Sequence, residues 1–267
     1  MKIIRYQDPS GEIFYGAQQV SGETVRVTGD IFSKYQATNK RANIARLLAP
    51  VVPAAILCVG LNYRRHAAES KLAVPEFPVL FVKGPNTLQH PGAPIVIPTH
   101  LRSDEVDYEC ELAVVIGRRC KNVRRADALD HVLGYTCAND VSARDWQLKK
   151  GGGQWCRGKT FDTFAPLGPC LALKDEIRDP GRLRITTTVN GEVLQDSNTS
   201  DLIFDIPALI EFLSGSTTLA PGTVILTGTP QGVGMARKPQ RWLRAGDTVV
   251  VEIEGIGRLE NPVVRES

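Results

Sequence analysis

The feature that most limits the fold is a succession of short β-favouring runs with little helical periodicity between them. "ILCVG" (56–60), "VLFVK" (79–83), "ELAVVIG" (111–117), "RITTTVNG" (184–191), "TVILTGTP" (223–230) and "DTVVVEIEGIG" (247–257) are rich in Val, Ile and Thr. Such residues suit a pleated, half-buried surface. A parallel doubly wound sheet needs a long crossover, usually a helix, after each strand. Helical patterns occur only near residues 63–70, 124–132, 142–149 and 205–214. The chain therefore reads as α+β and mostly β, with "NGE" at 190–192 closing a hairpin.

The first fifty residues form a smaller unit. "KIIRY", "EIFYGAQ" and "TVRVTG" read as a strand meander, and "YQATNKRANIARLLAP" as a loop and short helix stopped before Pro50. The expected division is a small β-rich N-terminal domain at 1–52 and a larger domain at 53–267. With 42% hydrophobic residues and a net charge of +3 spread without a basic stripe, nucleic acid is not an expected partner. The start, "MKIIRYQDPSGEIFYG", is too polar for a signal peptide, and no run approaches the roughly 18–20 apolar residues of a membrane span. Six cysteines without a C-x-x-C pair point to reduced thiols, hence to a cytoplasmic location.

"GQWCRGKT" (153–160) fits the phosphate-binding pattern G-x-x-x-x-G-K-[ST]. That pattern works only where a strand feeds the mouth of a helix, so that backbone N–H groups surround the phosphates. Upstream here is the polar "SARDWQLKKGG", and downstream is "FDTFAPLGP" with its two prolines. The match is therefore read as chance, and Lys159 needs another role.

The richest chemistry lies in "DEVDYECELAVVIG" (104–117). Alternation along a strand would put Asp107, Glu109 and Glu111 on one face, with Tyr108, Cys110 and Leu112 on the other. Neighbouring ionised carboxylates at the lip of a core repel and lose hydration, which costs several kcal/mol. A divalent cation with a taste for oxygen would relieve both penalties. A solvated acidic edge strand fits the same stretch. Asp140, ending the apolar run "LGYTCAND", is a third candidate ligand, or else a helix cap ahead of Ser142-x-x-Asp145. His66 and Glu69, three apart after Gly60, share a helical face, so the carboxylate could orient the imidazole as a general base. A surface pair without function is the competing reading. "LTGTPQGVG" (226–234) reads as a loop presenting Thr229 and backbone amides to a small anion.

Taken together, "VGLNYRRHAAE", "FPVLFVKGPNTL", "DYECELAVVIG", "GYTCANDVSARDWQ", "GKTFDTFAPLGP", "VNGEVLQDSNTSDLIFD", "PGTVILTGTPQGVG" and "GDTVVVEIEGIGRLENPVV" resemble, in order over roughly 54–264, the fumarylacetoacetate hydrolase family. The likeness is greatest to its short domain-containing members. The resemblance implies a mixed β-sandwich or β-roll, usually dimeric. It implies that Glu109, Glu111 and Asp140 hold Mg²⁺ or Mn²⁺, with Ca²⁺ as a substitute. It also implies that His66 and Glu69 form a dyad on a lid, that Lys159 is the active-site lysine, and that Lys83, Arg144, Gln147 and Thr229 border the substrate.

Family substrates are small 2-oxo or β-dicarbonyl acids. The expectation drawn first is hydrolysis of a C–C bond in an acylpyruvate-like compound, with water activated by His66 and an enolate as leaving group. The same enolate serves oxaloacetate tautomerisation or decarboxylation and isomerisation of 2-hydroxyhepta-2,4-dienedioate, so fold alone does not choose. A ureidoglycolate-type lyase is a further member activity. A catalytically inert metal-binding dimer is the contrasting class, and the intact triad, dyad and lysine argue against it.

Overall fold

The computed structural model describes all residues, 1–267. Two mixed sheets carry the fold. The larger has 12 strands, and its main path runs 35–41, 24–29, 13–18, 2–7, 165–173, 132–139, 110–116, 223–226, 55–60 and 79–83. The smaller has five, in the order 192–198, 184–189, 248–253, 257–265 and 95–97. Only three α-helices are present: α1 (Arg64–Ser70), α2 (Cys156–Lys159) and α3 (Ile206–Ser214).

The N-terminal strands form the expected meander, which joins the large sheet through Lys2↔Ala172 and Ile3↔Leu171. The short helix expected before Pro50 is absent. Tyr35–Arg41 and Arg46–Leu48 are strands instead, because edges left open by the neighbouring strands supply backbone partners. The 190–192 hairpin forms, with Asn190 (φ 53°) and Gly191 (φ 83°) both left-handed, as a primed two-residue turn needs. Near 124–132 the chain makes a 3₁₀ segment, Arg125–His131, and near 142–149 a π-helix, Asp145–Lys150.

The strand Cys110–Ile116 is buried along its whole length. Leu112, Val114 and Ile116 face a core shared with Ile185, Val251, Ile253 and Leu259 of the small sheet and with α3. Ala113 and Val115 face a second core with Ile56, Phe81 and Leu226. Any charged group on this strand is thus drawn into the interior, and Glu111 lies on the Ala113 side.

Candidate active site

The strand end sets the carboxylates. Cys110 pairs with Asn139 and Glu111 with Ala138, so the ladder brings Glu109 opposite Asp140, whose N–H donates to the Glu109 carbonyl at 2.9 Å. The Asn139 side chain closes the corner by accepting from the Glu109 N–H at 3.0 Å. Ligand oxygens of Glu109, Glu111 and Asp140 all lie within 4.8 Å of one another, and all three residues are buried. Beside them runs the loop after strand Thr223–Leu226. Its Gly228, at φ +103° where a side chain would also strike Asn62, donates its N–H to Glu111 Oε2 at 2.7 Å. The loop amide expected to meet a small anion therefore meets this carboxylate.

Asp107 does not join the cluster, because the strand breaks over residues 108 and 109 and ends the alternation. Its carboxylate accepts from the N–H groups of Gly234 (2.7 Å) and Met235 (3.1 Å) and from Arg144 Nε (2.9 Å). Arg144 also donates to Gln147 Oε1 and to Glu109, so Asp107 acts as its anchor. The capping box expected at Ser142-x-x-Asp145 is absent. Ser142 Oγ donates to the Asp140 carbonyl, and Asp145 accepts from Ser103 Oγ.

Lys159 ends α2, and its ammonium reaches Glu109 Oε2 at 2.8 Å and Asp140 Oδ2 at 2.7 Å. The glycine before it explains the approach. A Cβ at Gly158 would lie 2.5 Å from Gln147 N and 2.6 Å from Ala143 O, so α2 can press against the π-helix only with glycine there. No strand feeds this four-residue helix, and the phosphate-loop reading falls away.

Lys83 sits behind Asp140 rather than on the cavity wall. Its ammonium donates to the carbonyls of Val141, Lys159 and Phe164 at 3.0, 2.7 and 2.9 Å. It also stands 2.7 Å from Asp140 Oδ1, a buried ion pair. Sequence position alone made Lys83 a substrate contact. Geometry makes it a buried counter-charge.

Four buried carboxylates (Asp107, Glu109, Glu111, Asp140) thus face three buried cations (Lys83, Arg144, Lys159), and no Lys or Arg pairs with Glu111. Burial opposes ionisation of Glu109, but Arg144 and Lys159 outweigh it and hold the carboxyl well below the usual range. Burial and the Asp140 and Glu109 charges push Glu111 well above that range. Burial disfavours the Lys159 ammonium, yet Asp140 and Glu109 more than compensate and raise its pKa. An all-oxygen donor set, with one negative charge in excess when Glu111 is ionised, fits a hard divalent cation.

His66 and Glu69 come together as their spacing implies, with Nδ1 3.3 Å from Oε2. The Gly232 N–H grips Glu69 at 3.0 and 3.1 Å, and Arg65 N donates to Asp201 at 3.0 Å, so α1 is tied down on both sides. His66, Glu69, Glu109, Glu111, Asp140, Arg144, Gln147, Lys159 and Thr229 all line one cavity of about 440 Å³. Sequence reasoning missed Gln195, buried in the small sheet. It donates to Thr229 Oγ1 at 2.9 Å and accepts from Cys110 N at 3.0 Å, coupling the loop to the carboxylate strand. A lone Gln after a hairpin turn carries no signal for that. Trp155, Leu148 and Met235 also line the cavity without having been singled out.

Comparison with known proteins identifies the family and the fold. Residues 55–264 match the family model for the fumarylacetoacetate (FAA) hydrolase C-terminal domain, and residues 1–50 match that of the Rv2993c-like N-terminal domain. The oxaloacetate tautomerase fahd2, mitochondrial, of Xenopus laevis is 53% identical over 225 residues, 84% of this chain and 70% of that one. A 5-carboxymethyl-2-hydroxymuconate delta-isomerase from Mycobacterium smegmatis superposes with a TM-score of 0.86 at 42% identity over 100% of both chains. A 2-hydroxyhepta-2,4-diene-1,7-dioate isomerase from Mycobacterium marinum gives 0.85 at 40% identity, covering 100% of this chain and 99% of that one. The mitochondrial placement of the Xenopus relative overturns the cytoplasmic expectation, which rested on six unpaired cysteines that suit any reducing compartment. No helix is long and apolar enough to cross a membrane. With its carboxylate cluster, its lysine and its mostly β architecture, the chain is an enzyme of the fumarylacetoacetate hydrolase family.

Proposed function

We propose that the protein catalyses keto–enol proton transfer in a small 2-oxo acid. The observation that carries this is the sharing of one cavity by a Glu-held histidine and a lysine-crossed carboxylate cluster. Names of similar proteins lend support, since one is an oxaloacetate tautomerase and two are isomerases.

Enolisation moves a proton off the carbon next to the carbonyl while negative charge grows on the carbonyl oxygen. His66 faces Glu69 through Nδ1, which leaves Nε2 to take and return that proton. Lys159 directs its ammonium into the floor of the cavity, where it stabilises charge on the substrate oxygen. Arg144, anchored by Asp107, fixes Glu109, and Gln195 fixes Thr229 at the wall. Glu109, Glu111 and Asp140 would hold Mg²⁺ or Mn²⁺, which when bound supplies Lewis-acid stabilisation of the same developing charge.

Hydrolysis of an acylpyruvate is the second reading, favoured by the same His66–Glu69 pair, which is also an arrangement for activating water. Product analysis separates the two. With Mg²⁺, oxaloacetate enol should convert to ketone faster than in buffer, and acetylpyruvate should stay intact. Cleavage of acetylpyruvate to acetate and pyruvate, with oxaloacetate enol decaying at its buffer rate, would establish hydrolysis instead.

A further inference from the structure

The cavity is lined by two chemically different sets of side chains, and burial orders them by depth. On the floor, Glu109, Glu111, Asp140 and Lys159 are at most 5% exposed. Towards the mouth stand Leu72 and Leu148, 57% and 49% exposed, and the wall also carries Leu61, Trp155 and Met235. Trp155 is fixed in that wall. Gly60 leaves room for its indole, since a Cβ there would lie 2.3 Å from the ring, and Phe81 meets it edge-on at 5.7 Å.

The charges are as uneven as the surfaces. Arg144 and Lys159 are the only Lys or Arg side chains that line the cavity. Arg144 is spent on Asp107, Glu109 and Gln147, and Lys159 on Glu109 and Asp140. His66 is held by Glu69, which is itself a negative wall residue. A substrate whose reacting carbonyl end lies on the floor extends its remaining substituent past Leu148, Leu72 and Met235. A second carboxylate there meets Leu148, Leu72, Met235 and the like charge of Glu69 and finds no uncommitted Lys or Arg, so the neutral Ser70, Gln147 and Thr229 replace its lost hydration only in part. An apolar substituent buries its surface against the same wall. A volume of about 440 Å³ also lies in the range, roughly 300–1,000 Å³, of pockets that enclose ligands well above four carbons.

Resting on the enolisation reading for the position of the reacting end, we infer that the preferred substrate is a 2-oxo monocarboxylic acid with an apolar or aromatic substituent. Leu72, Leu148, Trp155 and Met235 are its specificity residues. The chain thereby differs in preference from enzymes of four-carbon or seven-carbon dicarboxylates.

Two assays test this separately from the reaction itself. In calorimetric titrations with Mg²⁺, 3,3-dimethyl-2-oxobutanoate is compared with 2,2-dimethyl-3-oxosuccinate. The two differ by a methyl in place of the distal carboxylate, and neither can enolise. A polar group that loses hydration without gaining a partner weakens binding by about tenfold or more, so the monocarboxylate should bind at least about tenfold more tightly. Leu148→Arg and Leu72→Arg, both at half-exposed positions and checked for folding by near-ultraviolet circular dichroism, should shrink that ratio at least tenfold. In the turnover arm, phenylpyruvate should tautomerise with at least tenfold higher kcat/KM than oxaloacetate. Equal or tighter binding of the dicarboxylate, or a ratio unmoved in both folded variants, would overturn the inference. A preference for oxaloacetate in turnover would do the same while leaving enolisation intact. Absence of enolisation with the binding preference retained would remove the proposed reaction and uphold the apolar subsite.

Discussion

Replacing Glu111 with Gln should stabilise the metal-free protein at neutral pH while ending its response to magnesium. The cluster oxygens lie within 4.8 Å of one another, and at that separation two unit charges repel by about 3.5 kcal/mol at an effective dielectric constant of about 20. Glu109 and Asp140 both act on Glu111, whereas no Lys or Arg pairs with it. The native protein escapes part of this cost by protonating Glu111, whose pKa burial, Asp140 and Glu109 push upward. The net gain on neutralisation is therefore smaller than the gross repulsion, on the order of 1–4 kcal/mol as for other buried charges replaced by neutral groups. A glutamine oxygen can keep the hydrogen bond from Gly228 N–H. The sign with pH follows from the raised carboxyl. Its contribution is fully present below the ordinary carboxylate pKa and is lost as pH rises through the raised value, so the variant's advantage grows with pH. Urea unfolding in EDTA and in Mg²⁺ provides the assay. Magnesium at a hundred times its Kd should stabilise the parent by about 2.7 kcal/mol and the variant hardly at all. A variant less stable than the parent in EDTA, or equal magnesium stabilisation of both, would refute the charge-excess argument.

Lys159→Met strands Glu109 and Asp140 without their shared ammonium, and should cost about 3–5 kcal/mol in EDTA, partly recovered with Mg²⁺, by thermal melting. ATP should leave the parent's melting unchanged. Gly158→Ala drives a methyl into the backbone of Gln147 and Ala143. It should cost about 1–3 kcal/mol in urea unfolding and, by displacing Lys159, lower kcat. Burial pushes the Cys170 thiol up to about 11 from an ordinary value of 9.0, so its contribution is whole below 9 and is lost as pH rises through about 11. Urea midpoints should accordingly fall between pH 9 and 11, less steeply in Cys170→Ala, and a thiol reagent at pH 8 should label Cys156 ahead of the buried cysteines.

Sequence and structure agree most closely where one strand or one helical turn decides the outcome. The side-chain alternation of 110–116 and the i,i+3 pairing of His66 with Glu69 are local, so the order of residues contains them. The short helix expected before Pro50 failed because pairing of Arg46–Leu48 with Arg5–Gln7 is a long-range choice that local propensity does not record. Asp107 was grouped with Glu109 and Glu111 on the assumption of an unbroken strand. A break of two residues turned it towards Gly234, Met235 and Arg144 instead. Lys83 looked like a cavity residue until three carbonyls from remote parts of the chain bound its ammonium. Gln195 illustrates the same limit, since its partners Cys110, Thr187, Thr229 and Pro230 come from three other segments.

Enolisation leaves a direct signature in the exchange of carbon-bound protons with solvent. Phenylpyruvate in deuterium oxide with Mg²⁺, followed by proton magnetic resonance, should lose its C3 protons faster with the enzyme than without it. The acceleration should fall by roughly 10²–10⁴ in His66→Ala and disappear in EDTA. Exchange at the uncatalysed rate in the presence of folded, magnesium-loaded enzyme, with acetylpyruvate cleaved under the same conditions, would contradict the account.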